Sequence, residues 1–436
     1  MYHFIGIKGT GMGALAQIMQ ELGYQVQGSD KPDHFFTEIA LKEKGITILE
    51  FDENNIKDGL IIVQGNAYTD TNIEVKKAKE LGLKIYTYQE MIGDLTKKFK
   101  TIAISGCHGK TTTTSMTAHI FNNIVGCNYL IGDGTGHAND KNEYFALESC
   151  EWKRHFLSYL PYYAVITNIE LDHVDYFKDI DDVISAYEEF ANKAQESVIA
   201  CGDDLYTKTL KVNKPIYFYG IDESNDIVAK NVEFSNEGTI FDVYVNKELY
   251  GNFNLPIFGK HMLLDALAVI SICYFEKLDP TQVANHFKTY KSAKRRFKET
   301  IVEDIVIVDD YAHHPTEVEV TIKGARQKYP DKQIIALLRT HTLSRTKAFA
   351  NEFASAMSLA DISYVMDIGQ DREELGYEGV TCDLILDQIK GGKYITFDDE
   401  DELLEYENAV LLFMSSKDIY ILKEKYEKKL REKLSN

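Results

Sequence analysis

The run Ser105-Gly106-Cys107-His108-Gly109-Lys110-Thr111-Thr112-Thr113-Thr114 constrains this chain more than any other. It follows Thr101-Ile102-Ala103-Ile104, a short β-branched apolar run that reads as a buried strand. It precedes Ser115-Met116-Thr117-Ala118-His119-Ile120-Phe121, whose apolar residues recur at helical spacing. A strand, a glycine turn and a helix start, in that order, make a cradle for phosphate. Glycines let backbone N–H groups converge, the helix N-terminus carries partial positive charge, and Lys110 adds a full one. Thr111 or Thr112 can offer a hydroxyl to Mg²⁺. In the common form of this loop the first glycine would stand where Ile104 stands, so a shorter G-x-x-G-K-T-T remains. The reading is nucleotide-phosphate binding, and the alternative is an ordinary strand-to-helix turn.

At 436 residues the chain is long enough for two to three domains. A net charge of −20 argues against nonspecific binding to nucleic acid or to an anionic membrane surface. An anionic substrate would need locally placed Lys and Arg, because the overall field repels it. The six cysteines form no C-x-x-C pair and read as reduced thiols of a cytoplasmic protein. No signal peptide or membrane span is expected from the sequence.

The first domain is expected over residues 1–99. Tyr2 to Ile7 reads as a strand, and the glycine-rich stretch from Gly6 through Gly9, Thr10, Gly11, Met12 and Gly13 turns into a helix from Ala14 to Leu22. A second strand, Tyr24 to Gly28, ends at Ser29-Asp30, about where a dinucleotide-binding unit places its acidic ribose contact. The glycine spacing is G-x-x-G-x-G, so a diphosphate rather than NAD is the first expectation. Ligands of open α/β sheets collect at the carboxyl ends of strands, which adds Asn66, after the strand Leu60–Val63, to Ser29 and Asp30.

The second domain is expected over residues 100–292. After the phosphate loop, the strand Tyr144–Glu148 ends on an acid and leads into Ser149-Cys150-Glu151. The strand from Tyr163 ends in Glu170-Leu171-Asp172-His173. Acids and a histidine at strand ends beside a phosphate loop are what a Mg²⁺–nucleotide site needs, since hard cations take oxygen ligands. Gly259-Lys260-His261 then opens an apolar helix to Phe275. The third domain, 293–436, is a second doubly wound unit. Its strand Ile305–Val308 delivers Asp309-Asp310-Tyr311-Ala312-His313-His314-Pro315, and the strand Ile334–Leu338 delivers Arg339-Thr340-His341.

Taken together and in order, these pieces resemble one family, the Mur ligases, which form amide bonds with ATP in peptidoglycan precursor synthesis. The carriers are Gly6 to Met12, Gly28-Ser29-Asp30, Gly106 to Thr112, Thr167-Asn168-Ile169-Glu170 with Asp172-His173, Arg295-Arg296-Phe297, Asp309 to Pro315, and His341 with Ser344-Arg345-Thr346. The set most resembles the branch that adds L-alanine to UDP-N-acetylmuramate, and Phe145 to Glu151 with Gly132 to Gly136 look like the form in low-GC Gram-positive bacteria.

The resemblance implies three α/β domains: a Rossmann-like UDP-binding domain, a central P-loop ATPase-type domain and a C-terminal Rossmann-like domain. It implies ATP and Mg²⁺, with UDP-N-acetylmuramate and L-alanine as small-molecule substrates, in a monomer or weak homodimer. Gly106, Cys107, His108, Gly109, Lys110, Thr111, Thr112 and His261 would hold ATP, joined by Arg296 and Asp310 from the third domain. Thr111 and Glu148 would bind one Mg²⁺ and His173 a second. Gly9, Thr10, Gly11, Met12, Ser29, Asp30 and Asn66 would face the UDP-sugar. His313, His314, His341 and Arg345 would face the substrate side. Lys110, Glu148, His173, Arg296 and Asp310 would carry the chemistry. The chain departs from the family at Met262 and Asp265, where two adenine-site Asn residues are usual, at Arg339, and at Ser415-Ser416-Lys417. Two other readings therefore stand: a related ligase with a different amine substrate, and a noncatalytic paralogue that binds a UDP-sugar or nucleotide.

Overall fold

A computed structural model describes residues 1–369, 374 and 376–435. Three sheets succeed one another along the chain. The first holds β1 (Tyr2–Ile5), β2 (Val26–Asp30), β3 (Thr47–Glu50), β4 (Ile61–Gln64) and β5 (Lys84–Thr87) in the order β3-β2-β1-β4-β5. Every neighbouring pair is parallel. The helices between are α1 (Thr10–Glu21), α2 (Glu38–Glu43) and α3 (Ile73–Glu80), followed by α4 (Tyr88–Thr96). Parallel strands are covered on both faces, so they read as continuous apolar runs, as Phe4-Ile5 and Ile62-Val63 do, all fully buried.

The second sheet contains β6 (Lys100–Ser105), β7 (Cys127–Leu130), β8 (Gly136–His137), β9 (Tyr144–Glu148), β10 (Tyr163–Ile166), β11 (Ser197–Cys201), β12 (Ile216–Gly220), β13 (Ile227–Ser235), β14 (Gly238–Val245) and β15 (Glu248–Leu255). Their order is β15-β14-β13-β12-β11-β10-β6-β9-β7-β8, and β13 to β15 form an antiparallel meander at one end. β6 is thus central, flanked by β9 and β10, so the three loops leaving them meet at one edge. Helices α5 (Lys110–Ile124), α6 (Ile180–Ala191), α7 (Lys260–Phe275) and α8 (Pro280–Phe287) belong to this part of the chain. α7 is the longest apolar helix, and Leu263 and Ala266 to Ile270 are fully buried on it.

The third sheet has β16 (Lys298–Val302), β17 (Ile305–Asp310), β18 (Gln333–Leu338), β19 (Ile362–Val365), β20 (Lys393–Tyr394) and β21 (Ala409–Met414), in the order β16-β17-β21-β18-β19-β20. Among the described residues of this sheet only the β16–β17 pair is antiparallel. Its helices are α9 (Pro315–Lys328), α10 (Leu343–Ala348), α11 (Ala350–Met357), α12 (Asp383–Leu386) and α13 (Tyr420–Ser435). The start of α9 explains much of the run His314-Pro315-Thr316-Glu317. His314 is the N-cap, Pro315 is the first helical residue, and Glu317 reaches back to the cap in a capping box.

The first and second sheets are joined by a strap, residues 132–137. The Gly136 backbone lies against the Ala14 carbonyl of α1, where a Cβ would collide. Gln17 of α1 donates to the Gly134 carbonyl at 3.0 Å, and Glu21 accepts from Ala138 N at 2.7 Å. Among the described residues no helix is long and apolar enough to cross a membrane, and the six cysteines are free thiols.

Candidate active site

β6 ends at Ser105, and the chain turns through Gly106 (φ 142°) and Gly109 (φ 80°) before α5 begins at Lys110. Gly109 must lack a side chain twice over. Its φ lies in the left-handed region, and a Cβ there would strike the Asp265 carboxylate. The loop leaving β10 ties this turn down. Thr167 Oγ1 and Asn168 Nδ2 both donate to the His108 carbonyl, at 2.6 and 2.9 Å, and His108 N donates to Asn168 Oδ1 at 2.9 Å. The Thr-Asn pair of the sequence motif therefore shapes the phosphate cradle.

Thr111 and Glu148 meet at the end of β9. Thr111 Oγ1 donates to Glu148 Oε1 at 3.1 Å, and Gly132 N donates to Oε2 at 2.7 Å. Burial raises the Glu148 pKa, against the pull of Lys110 and Arg296. From the third domain, Arg296 donates to Thr111 Oγ1 at 3.3 Å and lies 3.8 Å from Glu317. A hydroxyl and a carboxylate on one side of a cation-rich loop are a hard-oxygen donor set that fits Mg²⁺. Lys110 is folded back: its ammonium donates to the Gly106 and Cys107 carbonyls and to Glu151 at 3.1 Å. Burial opposes that charge, and the Glu151 carboxylate leads the groups that hold it above the ordinary lysine range. His173 sits across from the same Glu151, with Nε2 3.7 Å from Oε1. Burial holds its pKa below the ordinary histidine value, against Asp172 and Glu151.

His108 points toward the third domain, between Glu170 at 3.2 Å and Glu317 at 3.4 Å, with its ring 4.6 Å from that of His314. Burial works against its charge, but the two carboxylates outweigh burial and lift its pKa to about 10. His314 goes the other way, to about 4, through burial and the neighbouring His108. Thr316 Oγ1 adds a 2.9 Å bond to Glu170 across the same boundary.

Beside this contact lies a cavity of about 350 Å³, walled by His108, Gly109 and Thr112 on one side and by α7 and α9 on the others. His261, Met262 and Asp265 line it from α7, and Arg296 and Asp310 from the third domain. Burial lowers the His261 pKa to about 4 and raises that of Asp265 to about 7, the latter against Thr113, Arg296 and His108. Asp310 is also committed locally, accepting from Phe297 N at 2.7 Å and Ala312 N at 2.8 Å. Burial brings its pKa to about 6.

Several expected substrate contacts have other tasks. Ser29 is fully buried, and its hydroxyl bonds Glu74 beside His3, inside the first sheet. Asp30 accepts from Lys8 N, Lys31 N and the Tyr68 hydroxyl at 2.7–2.8 Å, so both its oxygens organise the turn. The Met12 side chain is buried in the core. Gly9 and Asn66 are exposed, and Thr10 and Gly11 half-buried, at the carboxyl edge of the first sheet. α1 begins at Thr10, four residues before the apolar run suggested, and the Tyr88 hydroxyl lies where a Cβ on Gly11 would stand. In the third domain, His313 Nδ1 is 2.9 Å from the Tyr311 carbonyl and 3.0 Å from Glu317. Arg345 is bound to Asp172 at 2.8 Å, and His341 is buried on Ser415 at 3.0 Å.

The third-domain departures meet in space. Arg339 pairs with Asp418 at 2.8 Å, and the Ser415 hydroxyl receives His341. The backbone carbonyls of Ser415 and Ser416 accept from Arg295. Sequence reasoning missed Glu151 and Glu317. The signal was present: Glu151 stands three residues after Glu148, and Glu317 three after His314.

Three family models match the chain in succession. They are the Mur ligase family catalytic domain over residues 1–100, the Mur ligase middle domain over 104–273, and the Mur ligase glutamate ligase domain over 295–422. Among solved structures, the UDP-N-acetylmuramate-alanine ligase of Thermotoga maritima superposes with a TM-score of 0.82 at 23% identity, covering 99% of each chain. The murein peptide ligase of Psychrobacter arcticus gives 0.72 at 23%, over 98% of each chain. The MurF ligase of Thermotoga maritima in complex with ADP gives 0.65 at 17%, over 96% of this chain and 99% of that one.

Proposed function

The chain belongs to the Mur ligase family, and from that membership we propose that it joins L-alanine to the lactyl carboxylate of UDP-N-acetylmuramate at the expense of ATP. The observation that carries the reading is Arg296: a third-domain guanidinium reaches Thr111 beside Glu148, so the second and third domains converge on one phosphate loop. In the first step a carboxylate oxygen attacks the γ-phosphorus, forming an acyl phosphate and releasing ADP. In the second the amine nitrogen attacks the acyl carbon, loses a proton, and phosphate leaves. No protein nucleophile is needed, and the chain supplies position and charge.

The α5 N-terminus and Lys110 would take the β- and γ-phosphates. Thr111 and Glu148 would hold one Mg²⁺ and His173 another, and that charge would offset the charge developing on the transferred phosphoryl group. Arg296 would contact the phosphates from the other side of the cleft. The cavity between α7 and α9 would take the nucleoside, with Asp265 and Met262 at its wall. The turn before α1 would meet the UDP diphosphate, and the strap fixes that turn relative to Glu148 through Gly132 and Gln17. L-Alanine rather than a larger amine is supported by the ordered motif set, which most resembles the L-alanine-adding branch, and by the superposition on such a ligase at a TM-score of 0.82.

The test is phosphate release from ATP by the full chain. Release that needs both UDP-N-acetylmuramate and L-alanine supports the proposal. Release that follows a larger amine, with L-alanine inert, overturns the choice of amine. Absence of release with every amine overturns the ligase reading.

A further inference from the structure

Glu151 is 1% exposed, yet it sits at the carboxyl edge of the central sheet, beside the phosphate loop. Its carboxylate faces two groups. One is the Lys110 ammonium, 3.1 Å away. The other is His173 Nε2, 3.7 Å from Oε1. Among the described residues, Lys110 is the only Lys or Arg in ion-pair contact with Glu151. Lys110 is meanwhile wrapped onto its own loop, on the Gly106 and Cys107 carbonyls.

The three N–H groups of Lys110 are taken by Gly106, Cys107 and Glu151, so a phosphate oxygen has to displace one of them. Displacing Glu151 frees the ammonium from its carboxylate partner. Leaving this buried carboxylate without a cation beside it is costly. A divalent cation arriving with the nucleotide is the countercharge the reaction itself brings. A carboxylate oxygen and an imidazole nitrogen facing one another at 3.7 Å are competent metal ligands, with water and phosphate oxygens free to complete the shell. We propose that Glu151 is a ligand of the second Mg²⁺, together with His173, and that it exchanges the Lys110 ammonium for that ion when nucleotide binds. This rests on the ATP-ligase reading and adds a residue and an order of events to it. A cation stays beside Glu151 throughout the exchange, and Lys110 is released toward the phosphates only when a metal takes its place.

The experiment is Mn²⁺ binding to the full chain by electron paramagnetic resonance, with a nonhydrolysable ATP analogue and UDP-N-acetylmuramate present. Wild type should bind two ions. Glu151→Gln should bind one ion as wild type does and lose the other, or bind it at least tenfold more weakly. If Glu151→Gln binds both ions with wild-type affinity, this inference fails while the ligase reading stands. If wild type binds no Mn²⁺ with the analogue, both fail. A crystal structure of wild type with the same ligands and Mn²⁺ makes the test independent of the variant's folding. An anomalous peak on the Glu151 carboxylate, with Lys110 moved away, supports the exchange. Lys110 still on Glu151, with both ions elsewhere, overturns it.

Discussion

Arg345 of the third domain donates to Asp172 at 2.8 Å, and Asp172 is the residue immediately before His173. Both partners are largely buried, with 13% and 8% of their side chains exposed. Burial disfavours the Asp172 charge, but Arg345 first, then the nearby histidines, hold its pKa well below the ordinary value. The pair thus fastens the third domain to the loop that carries a candidate metal ligand. Removing one partner strands a buried charge, which costs about 3–5 kcal/mol. Arg345→Ala is expected to lower the unfolding free energy by that order, and Arg345→Ala with Asp172→Asn to recover part of it. A depressed carboxylate contributes stability above its unfolded value of about 3.9 and loses it as pH falls through the folded value. Urea unfolding between pH 2 and 5 should therefore show a steeper acid loss in wild type than in the double variant, with the difference arising below about pH 4, and equal slopes would refute the assignment.

Lys110→Ala should abolish ATP turnover while leaving UDP-N-acetylmuramate binding to the first domain intact. Isothermal titration with the UDP-sugar separates the two effects. A parallel loss of both would contradict the division of labour between the first and second domains.

His108 should make the contact between the second and third domains sensitive to alkali. Its pKa, about 10, lies above the unfolded value near 6.5. The stabilisation is complete below about 6.5 and disappears as pH rises through about 10, at a slope of at most ~1.4 kcal/mol per pH unit. His108→Gln should flatten the difference in unfolding free energy measured between pH 6 and 10. A variant with an unchanged slope would show that Glu170 and Glu317 do not hold the proton there.

Asp265→Asn should stabilise the protein at pH 8. The raised value, about 7, means that folded wild type loses stability as pH climbs from about 4 to about 7, where the unfolded chain ionises first. Asparagine carries no such penalty. The gain should grow across that window to at most about 4 kcal/mol and stay level above it. Thermal unfolding at pH 4 and pH 8 gives both ends, and a variant less stable than wild type at pH 8 would reverse the sign. The amide can also donate a hydrogen bond into the cavity, so nucleotide affinity at pH 8 should rise rather than fall.

The strands that carry the site were legible because parallel strands are buried on both sides and leave unbroken apolar runs. Tyr144–Glu148 and the Ile305–Val308 core of β17 were found on that signal. The phosphate loop was legible because glycine, lysine and threonine are needed there for separate physical reasons. What stayed hidden depended on direction. Nothing in Ser29 or Asp30 says that one faces Glu74 and the other folds onto its own turn, because that follows from a helix residue 45 positions further on and from Tyr68. Arg339 and Ser415 looked like unrelated departures until β18 and β21 paired and set Arg339 near Asp418 and His341 on Ser415. Glu151 read as one more acid in a polar run. Its burial, and the lysine it faces, appear only once β6 and β9 lie side by side.

The strap has a consequence for anyone rebuilding this protein from parts. Residues 132–137 are continuous with the second domain's chain, yet they complete the surface of α1, and the Gly136 backbone fills a space no other residue can enter. A graft that replaces only residues 1–99 therefore brings a foreign helix against a host strap shaped for a different one. A chimera in which the first domain travels with its own version of residues 132–137 keeps the fitted pair together, and modular exchange in this chain runs along that seam rather than along the sequence border near residue 100.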